Sequence, residues 1–251
     1  MNSRLTQIYR WFDTPLGQRL LAAESAAIQT ILPRLFGYHL IQVGQIGDGG
    51  LLESSRIRHR CLLGQRPSPS LINPPYSSVF ALPEALPLAA DSIDVVVLAH
   101  ILEFAEDPHE ILREIERVLI PEGHLLILGF NPISLWGISR WFLAQRQQAP
   151  WCGRFLSLSR LKDWLALLGF EVVEQQVFFF AMPFHHDHLK QYTVFLENLA
   201  QRWTSHLGAV YLLVAKKRVT TLIPIKPRWQ PQPALVPGAI GTHFENHPTH
   251  D

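Results

Sequence analysis

The chain has 251 residues, 47% of them hydrophobic, which is enough core for one large α/β domain or two small ones. Its 22 Lys+Arg against 21 Asp+Glu leave a formal net charge of +1, so the overall field selects neither nucleic acid nor an acidic membrane as a partner. Two cysteines, Cys61 and Cys152, exclude a disulfide framework. No apolar run reaches bilayer length, and the opening MNSRLTQIYRWFDTPLGQRL has no apolar signal core, so a cytoplasmic protein is expected.

Thr14-Pro15 reads as an N-cap with proline at the first helical position, opening a helix over 16–32 whose stripe is Leu16, Leu20, Leu21, Ala27, Ile28 and Ile31. A first strand follows at 38–43. The glycine-rich turn Gly44-Gln45-Ile46-Gly47-Asp48-Gly49-Gly50 comes next, then a short helical candidate at 51–55. A second strand is expected at 59–63 and a third at 79–82, with a Pro/Ser-rich loop at 67–78 between them. Val95 to Ala99 is an unbroken apolar run suited to a central parallel strand. Asp107-Pro108, with Glu110 three residues after Asp107, signals the start of a helix carrying Ile111, Leu112, Ile115, Val118 and Leu119 on one face. Pro121-Glu122-Gly123 stops it, and 124–130 is the next buried strand. Ser157 or Ser159 caps a helix ending at Gly169, 170–180 and 209–216 form a closing strand pair, and 188–203 between them reads as helical.

Residues 81–130 carry the most specific wording. Ala85-Leu86-Pro87-Leu88, Asp91-Ser92-Ile93-Asp94, His100-Ile101-Leu102-Glu103-Phe104, Asp107-Pro108, Arg113-Glu114, Arg117-Val118-Leu119 and Pro121-Glu122-Gly123 occur in this order. The series resembles the class I S-adenosylmethionine (SAM) methyltransferases of the type 11 group, densely over these residues and more loosely from about 38 to about 217. The resemblance implies a Rossmann-like α/β fold, a seven-stranded mostly parallel sheet of order 3-2-1-4-5-7-6 with helices on both faces. It also implies SAM as cofactor, and methyl transfer to a small molecule. The implied organisation is an N-terminal helical segment at 1–34 packed on the sheet edge, the methyltransferase-like domain at 35–218, and a Pro-rich tail at 219–251.

The residues that would hold the cofactor are carried over from the same resemblance. They are Gln42, Val43, Gly44, Gln45 and Gly47 at the turn after the first strand, Gln65 after the second, Ala81 and Leu82 beside the adenine, and Ala99 and His100 near the sulfonium. Gln42 stands where the family has an acid, and Ile46 where it has a second glycine. The stretch Cys61-Leu62-Leu63-Gly64-Gln65 lacks the carboxylate that grips the ribose. A side chain added at Gly44 is expected to enter the cofactor pocket and leave the fold intact. These departures keep a second reading open, a non-catalytic binding or regulatory protein on the same fold. His100 is either a general base or a positioning residue.

The insertion at 131–153 offers Trp136, Arg140 and Trp141 as acceptor-binding residues or, alternatively, as packing of a helical cap. Asn73-Pro74-Pro75-Tyr76 spells a motif of nitrogen methyltransferases, but it precedes the third strand where the motif must follow the fourth, so it reads as a turn. His185-His186-Asp187-His188 has no second ligand cluster, so no metal is expected.

Overall fold

The computed structural model describes residues 3–64, 76–143, 148–180 and 207–218. The chain divides into Met1–Val219 and Thr220–Asp251; the second unit, the expected helix at 188–203, Gln65 and the histidines at 185–188 lie outside the described residues. The first unit is built on a seven-stranded sheet of order β3-β2-β1-β4-β5-β7-β6. Its strands are β1 (His39–Val43), β2 (His59–Gly64), β3 (Ser77–Phe80), β4 (Ile93–Ala99), β5 (Leu119–Phe130), β6 (Phe170–Phe178) and β7 (Val210–Lys217). Six strands, β1 to β6, run in one direction, and β7 inserts antiparallel between β5 and β6. The helices are α1 (Ser3–Phe12), α2 (Pro15–Gln29), α3 (Pro108–Val118), α4 (Leu135–Leu143) and α5 (Leu158–Leu167).

Local chemistry accounts for the helix boundaries. The Thr14 hydroxyl accepts from the Gly17 amide at 3.2 Å, Pro15 fills the first position of α2, and the helix closes at Thr30. Asp107 Oδ1 accepts from the His109 amide at 2.8 Å to start α3, and Ser157 caps α5, which Gly169 ends at φ +79. Three elements differ from the sequence reading. The turn after β1 is a 3-10 turn over Gly47–Leu52 rather than a helix at 51–55, because glycines at φ +71 and +81 break the α-helical path. α1, which the sequence reading did not separate from the N-terminal segment, carries Leu5, Ile8 and Phe12 into the core. Strand β5 begins directly at Leu119; the ladder then skips from Ile93–Leu119 to Val95–His124, so Pro121-Glu122-Gly123 is a bulge inside the strand.

Several motif residues prove to be fold hardware. Asp94 Oδ2 accepts the amides of Tyr38 and His39 at 2.9 Å each, fixing the start of β1 beside β4. Glu114 Oε1 accepts from Leu86 N at 2.7 Å and pairs with Arg117, whose guanidinium reaches Leu88 O at 2.9 Å, so the loop before β4 is tied to α3. Lys217 Nζ bonds Glu116 O at 2.7 Å and Leu119 O at 2.9 Å, joining the end of β7 to the α3–β5 corner. Hydrogen bonds to a charged acceptor contribute about 1.5–3 kcal/mol. Asp94→Ala should therefore lower unfolding free energy by about 2 kcal/mol in a denaturant titration, and Asp94→Asn, which keeps one acceptor oxygen, by less.

Candidate functional site

In an open α/β sheet the ligand edge lies beyond the C-terminal ends of the strands, where the strand order reverses; here that is the β1/β4 boundary. Gly44 follows β1 at φ +106, and its N–H donates to Leu63 O at 3.0 Å. Gln42, fully buried, donates its Nε2 to Gly44 O at 2.8 Å and to Ile46 O at 3.0 Å. A carboxylate in that place could only accept, so the amide is the group able to clamp two carbonyls of this turn. The Gln45 side chain lies across Gly64 at the end of β2, within 2.6 Å of where a Cβ on Gly64 would stand. Tyr9 of α1 reaches the same turn: burial pushes its phenol up to about 12, opposed by a hydrogen bond from the Gln45 backbone.

The tip of β4 holds a buried ionic cluster. His100 leaves the strand at φ +50, with its N–H donating to Leu128 O at 3.2 Å. Its Nε2 is 2.6 Å from Glu24 Oε1 of α2, and its Nδ1 is 3.3 Å from Glu103 Oε1, which also accepts the Phe130 amide at 2.8 Å. His100 and Glu24 are fully buried, and Glu103 is nearly so. Burial alone pulls the imidazole toward neutrality, but the two carboxylates, Glu24 foremost, overcome it and hold the ring protonated up to about 10. Burial raises the Glu24 carboxyl, and the His100 charge opposes that rise. Glu24 Oε2, Glu103 Oε2 and Gln42 Oε1 are buried with no hydrogen-bond partner. An orphaned buried acceptor costs about 1–3 kcal/mol, so this edge holds acceptors in excess of donors.

Aromatic rings roof the cluster. Phe130 lies 4.3 Å and Phe12 5.5 Å from the His100 ring, and Trp136 stacks on Phe130 at 5.9 Å while meeting Trp11 edge-on at 5.8 Å. Trp136 is thus core, whereas Trp141 is 85% exposed and Arg140 donates from Nε to Gly153 O at 2.7 Å. These three residues do not share one wall: successive turns of α4 send Trp136 inward and Trp141 to solvent. A groove of about 520 Å³ opens elsewhere on the ligand edge, between α2 and the end of β6, with Arg19, Ala23, Ala26, Gln176, Phe178 and Phe179 in its lining. Tyr76 of the NPPY tetrapeptide packs under Arg60, 4.7 Å from guanidinium to ring centre; its other three residues lie outside the described ones. Among the described residues no group of three or more His, Cys, Asp or Glu could hold a metal ion, and no helix is long and apolar enough to cross a membrane.

A family model described as a methyltransferase domain matches residues 69–127. The uncharacterized protein YafS of Escherichia coli K12 is 33% identical over 218 residues, covering 86% of this chain and 84% of YafS. The chain belongs to the family of YafS, with a segment that matches the methyltransferase domain and the fold of the class I SAM methyltransferases. The uncharacterized protein Rv2003c of Mycobacterium tuberculosis is 30% identical over 172 residues, 66% of this chain and 58% of that protein. Among solved structures, a putative methyltransferase of Haloferax volcanii, in complex with the Trm112 methyltransferase activator, superposes with a TM-score of 0.63 at 18% identity over 87% of this chain and 99% of that one. Phosphoethanolamine N-methyltransferase 2 of Haemonchus contortus, in complex with SAM, gives 0.52 at 14% identity over 77% of this chain and 53% of that one.

The cofactor that the resemblance implies is a cation with ammonium donors; Gln42, Glu24 and Glu103 each keep an orphaned oxygen able to accept, and all three oxygens are buried. The ribose end is less well supplied: β2 closes on Gly64, which offers no carboxylate. Of the sequence-derived cofactor residues, Gln42, Val43, Gly44, Ala99 and His100 gather at the β1/β4 tips in buried positions. Gln45 and Gly47 are half-buried in the turn after β1, Ala81 is half-buried after β3, two strands away, and Leu82 is 58% exposed. Sequence reasoning missed Glu24, Glu103 and Tyr9. Glu24 had a signal: it sits at the i+4 position from Leu20 and the i−4 position from Ile28, an acid within an apolar stripe. The N-terminal helices also lie over the tips of β1 and β4, not on the sheet edge, because the Glu24–His100 and Tyr9–Gln45 contacts draw them there.

Two outcomes follow. A Cβ on Gly44 would stand 2.9 Å from Ala99 O and 3.1 Å from Ile101 Cγ1, so added bulk meets protein and not an open pocket, contrary to the sequence expectation. Gly44→Val should therefore cost about 1–3 kcal/mol from positive-φ strain alone, plus the clash, and lower the melting temperature with or without SAM. The second concerns pH. A histidine held at about 10 in the fold and 6.5 unfolded contributes stability that is complete below pH 6.5 and lost as pH rises through about 10. Unfolding free energy should fall by about 1 kcal/mol per unit between pH 7 and 9.5, below the range of phenol titration. Glu24→Gln removes the main upward pull on His100 and should flatten that slope.

Proposed function

We propose that the protein is a SAM-dependent methyltransferase acting on a small molecule by direct in-line displacement. The observation that carries this reading is the coincidence, at the β1/β4 switch point, of a glycine turn at φ +106 with buried, donor-poor oxygens. Gly44, Ala99 and His100 would border the methionine end of the cofactor, with Gln42 bracing the turn from below, and Ala81 and Leu82 would flank the adenine. Bound there, SAM supplies a methyl group on a positively charged sulfur, a strong leaving group that leaves alignment as the protein's main task. His100 acts in this reading as a positioning residue: fully buried and held protonated by two carboxylates, it has no free lone pair to accept a proton.

A small acceptor is supported by the groove on the same edge, whose roughly 520 Å³ lies in the range of small-molecule sites. It combines phenylalanine faces with small alanine side chains, which suits a flat apolar molecule. Small amines are what two structural neighbours act on by name, one being the phosphoethanolamine methyltransferase and the other a possible histamine N-methyltransferase of Thermotoga maritima. The second reading, a binding module without catalysis, is favoured by one observation: Gln45 lies across Gly64 where the ribose carboxylate is missing. That carboxylate would contribute about tenfold to a hundredfold in affinity.

Titration calorimetry with SAM and with S-adenosylhomocysteine separates the two. Dissociation constants in the micromolar range or tighter are expected. Absence of heat with both, at protein concentrations well above that range, would establish the binding-module reading in its place.

A further inference from the structure

We infer that the outer face of α4 docks on an anionic lipid surface, with the arginines beside it meeting the lipid headgroups. The inference concerns an interaction surface and stands whether or not the protein transfers methyl groups. A helix that is apolar all round is normally buried on every side, and α4 is apolar on two opposite faces with only one of them covered. Trp136 is packed into the core, whereas Leu135, Ile138 and Trp141 are each more than half exposed. These three recur at i, i+3 and i+6, on the side of the helix away from Trp136. Ile133, just before the helix, is also more than half exposed and extends the stripe. Scattered apolar residues on a surface need no explanation, but a close-set group of large ones marks a place of docking.

Charge decides the occupant. The net charge of +1 is spread unevenly: residues 123–162 hold no Asp or Glu, yet they contain Arg140, Arg146, Arg154, Arg160 and Lys162. Elsewhere Arg34, Arg117 and Arg218 form ion pairs with Glu174, Glu114 and Glu171. Arg140 and Arg154 pair with no carboxylate among the described residues; Arg140 holds Gly153 O over the Phe155 ring, and Arg154 is exposed. Burial pushes the Cys152 thiol up, and Arg4 of α1 and Arg140 both oppose that rise, so two cations flank one loop beside α4. Exposed tryptophan next to arginine suits a membrane interface, where the indole settles at headgroup level and the guanidinium meets phosphate. A second copy of the chain fits poorly, because two-fold pairing through this face would set Arg140 and Arg154 near their own counterparts. The groove between α2 and β6 adjoins α4, since Phe179 lines it and meets Trp136 edge-on at 5.8 Å; docking sets that groove beside the bilayer.

The test is flotation of the full chain with vesicles of phosphatidylcholine alone and of equal parts phosphatidylcholine and phosphatidylglycerol. The wild type should bind the anionic vesicles about tenfold or more tightly than the neutral ones. The double variant Ile138→Ser with Trp141→Ser should lose about tenfold or more of the affinity for anionic vesicles. Both side chains face solvent, so its melting temperature should match that of the wild type. Arg154→Gln should lose about fivefold, while Arg34→Gln, at a paired cation elsewhere, should bind as the wild type does. Failure to float with either vesicle would overturn the inference and leave the face to a protein partner or to another segment of this chain. Equal affinity for neutral and anionic vesicles would overturn it as well, since the arginines would then have no part in binding. So would a double variant that floats like the wild type, because the lipid contact would then lie elsewhere in the chain. A dimer in sedimentation that the double variant abolishes would assign the face to a second copy and overturn the inference.

Discussion

The Glu24–His100–Glu103 cluster is the constraint on which the ligand edge depends. One imidazole bridges the N-terminal helix to the tip of β4, and Glu103 passes the connection to β5 through the Phe130 amide. Removing one member of a buried ionic set strands the others, a change that costs about 3–5 kcal/mol. A packed aliphatic trio would hold the same elements with less desolvation. The ionic version adds direction: each contact fixes an oxygen against a nitrogen, so β4 must leave the sheet in the left-handed conformation of His100. The surrounding rings of Phe12, Phe130 and Trp136 then exclude water from it.

The same arrangement explains the departures in the glycine turn. The usual acid is Gln42, and its amide nitrogen engages two carbonyls of the turn that a carboxylate would repel. The position of the second glycine is Ile46, which is buried and faces the core. The turn is therefore held by side-chain hydrogen bonding and apolar packing where glycines alone would leave it open. Tyr9 and Leu21, from α1 and α2, complete the packing over it.

The strand order came from the family resemblance, whereas the βαβ unit was legible in the sequence itself because the residues that spell it are the ones that build it. Asp94, Glu114 and Arg117 are motif letters and also hydrogen-bonding struts. Period and caps act locally, so reading them needs no knowledge of distant neighbours, whereas the bulge at Pro121-Glu122-Gly123 depends on pairing with β4 and was read as a helix stop. The ionic cluster was not legible as a unit, since Glu24 and Glu103 are separated in sequence by most of the sheet and only the fold brings them to one imidazole. The placement of the insertion's tryptophans was not legible for a related reason: Trp136 and Trp141 look alike in the sequence, and only the orientation of α4 decides which is core and which is surface. His100 was legible as a position and not as a charge state, because its carboxylate partners lie on other elements.

The place of β7 in the sheet has a consequence for how the chain comes off the ribosome. It is the last strand among the described residues, yet it sits between β5 and β6, which are made earlier. Until residues 210–217 emerge, the edge of β5 has no neighbour and β6 has no sheet to join. The nascent domain thus carries an open, apolar strand edge from the completion of β5 at Phe130 until β7 is made, a state that invites pairing with other chains. Closure comes only when Lys217 delivers its ammonium to the carbonyls of Glu116 and Leu119, locking the final strand to a corner completed about a hundred residues earlier.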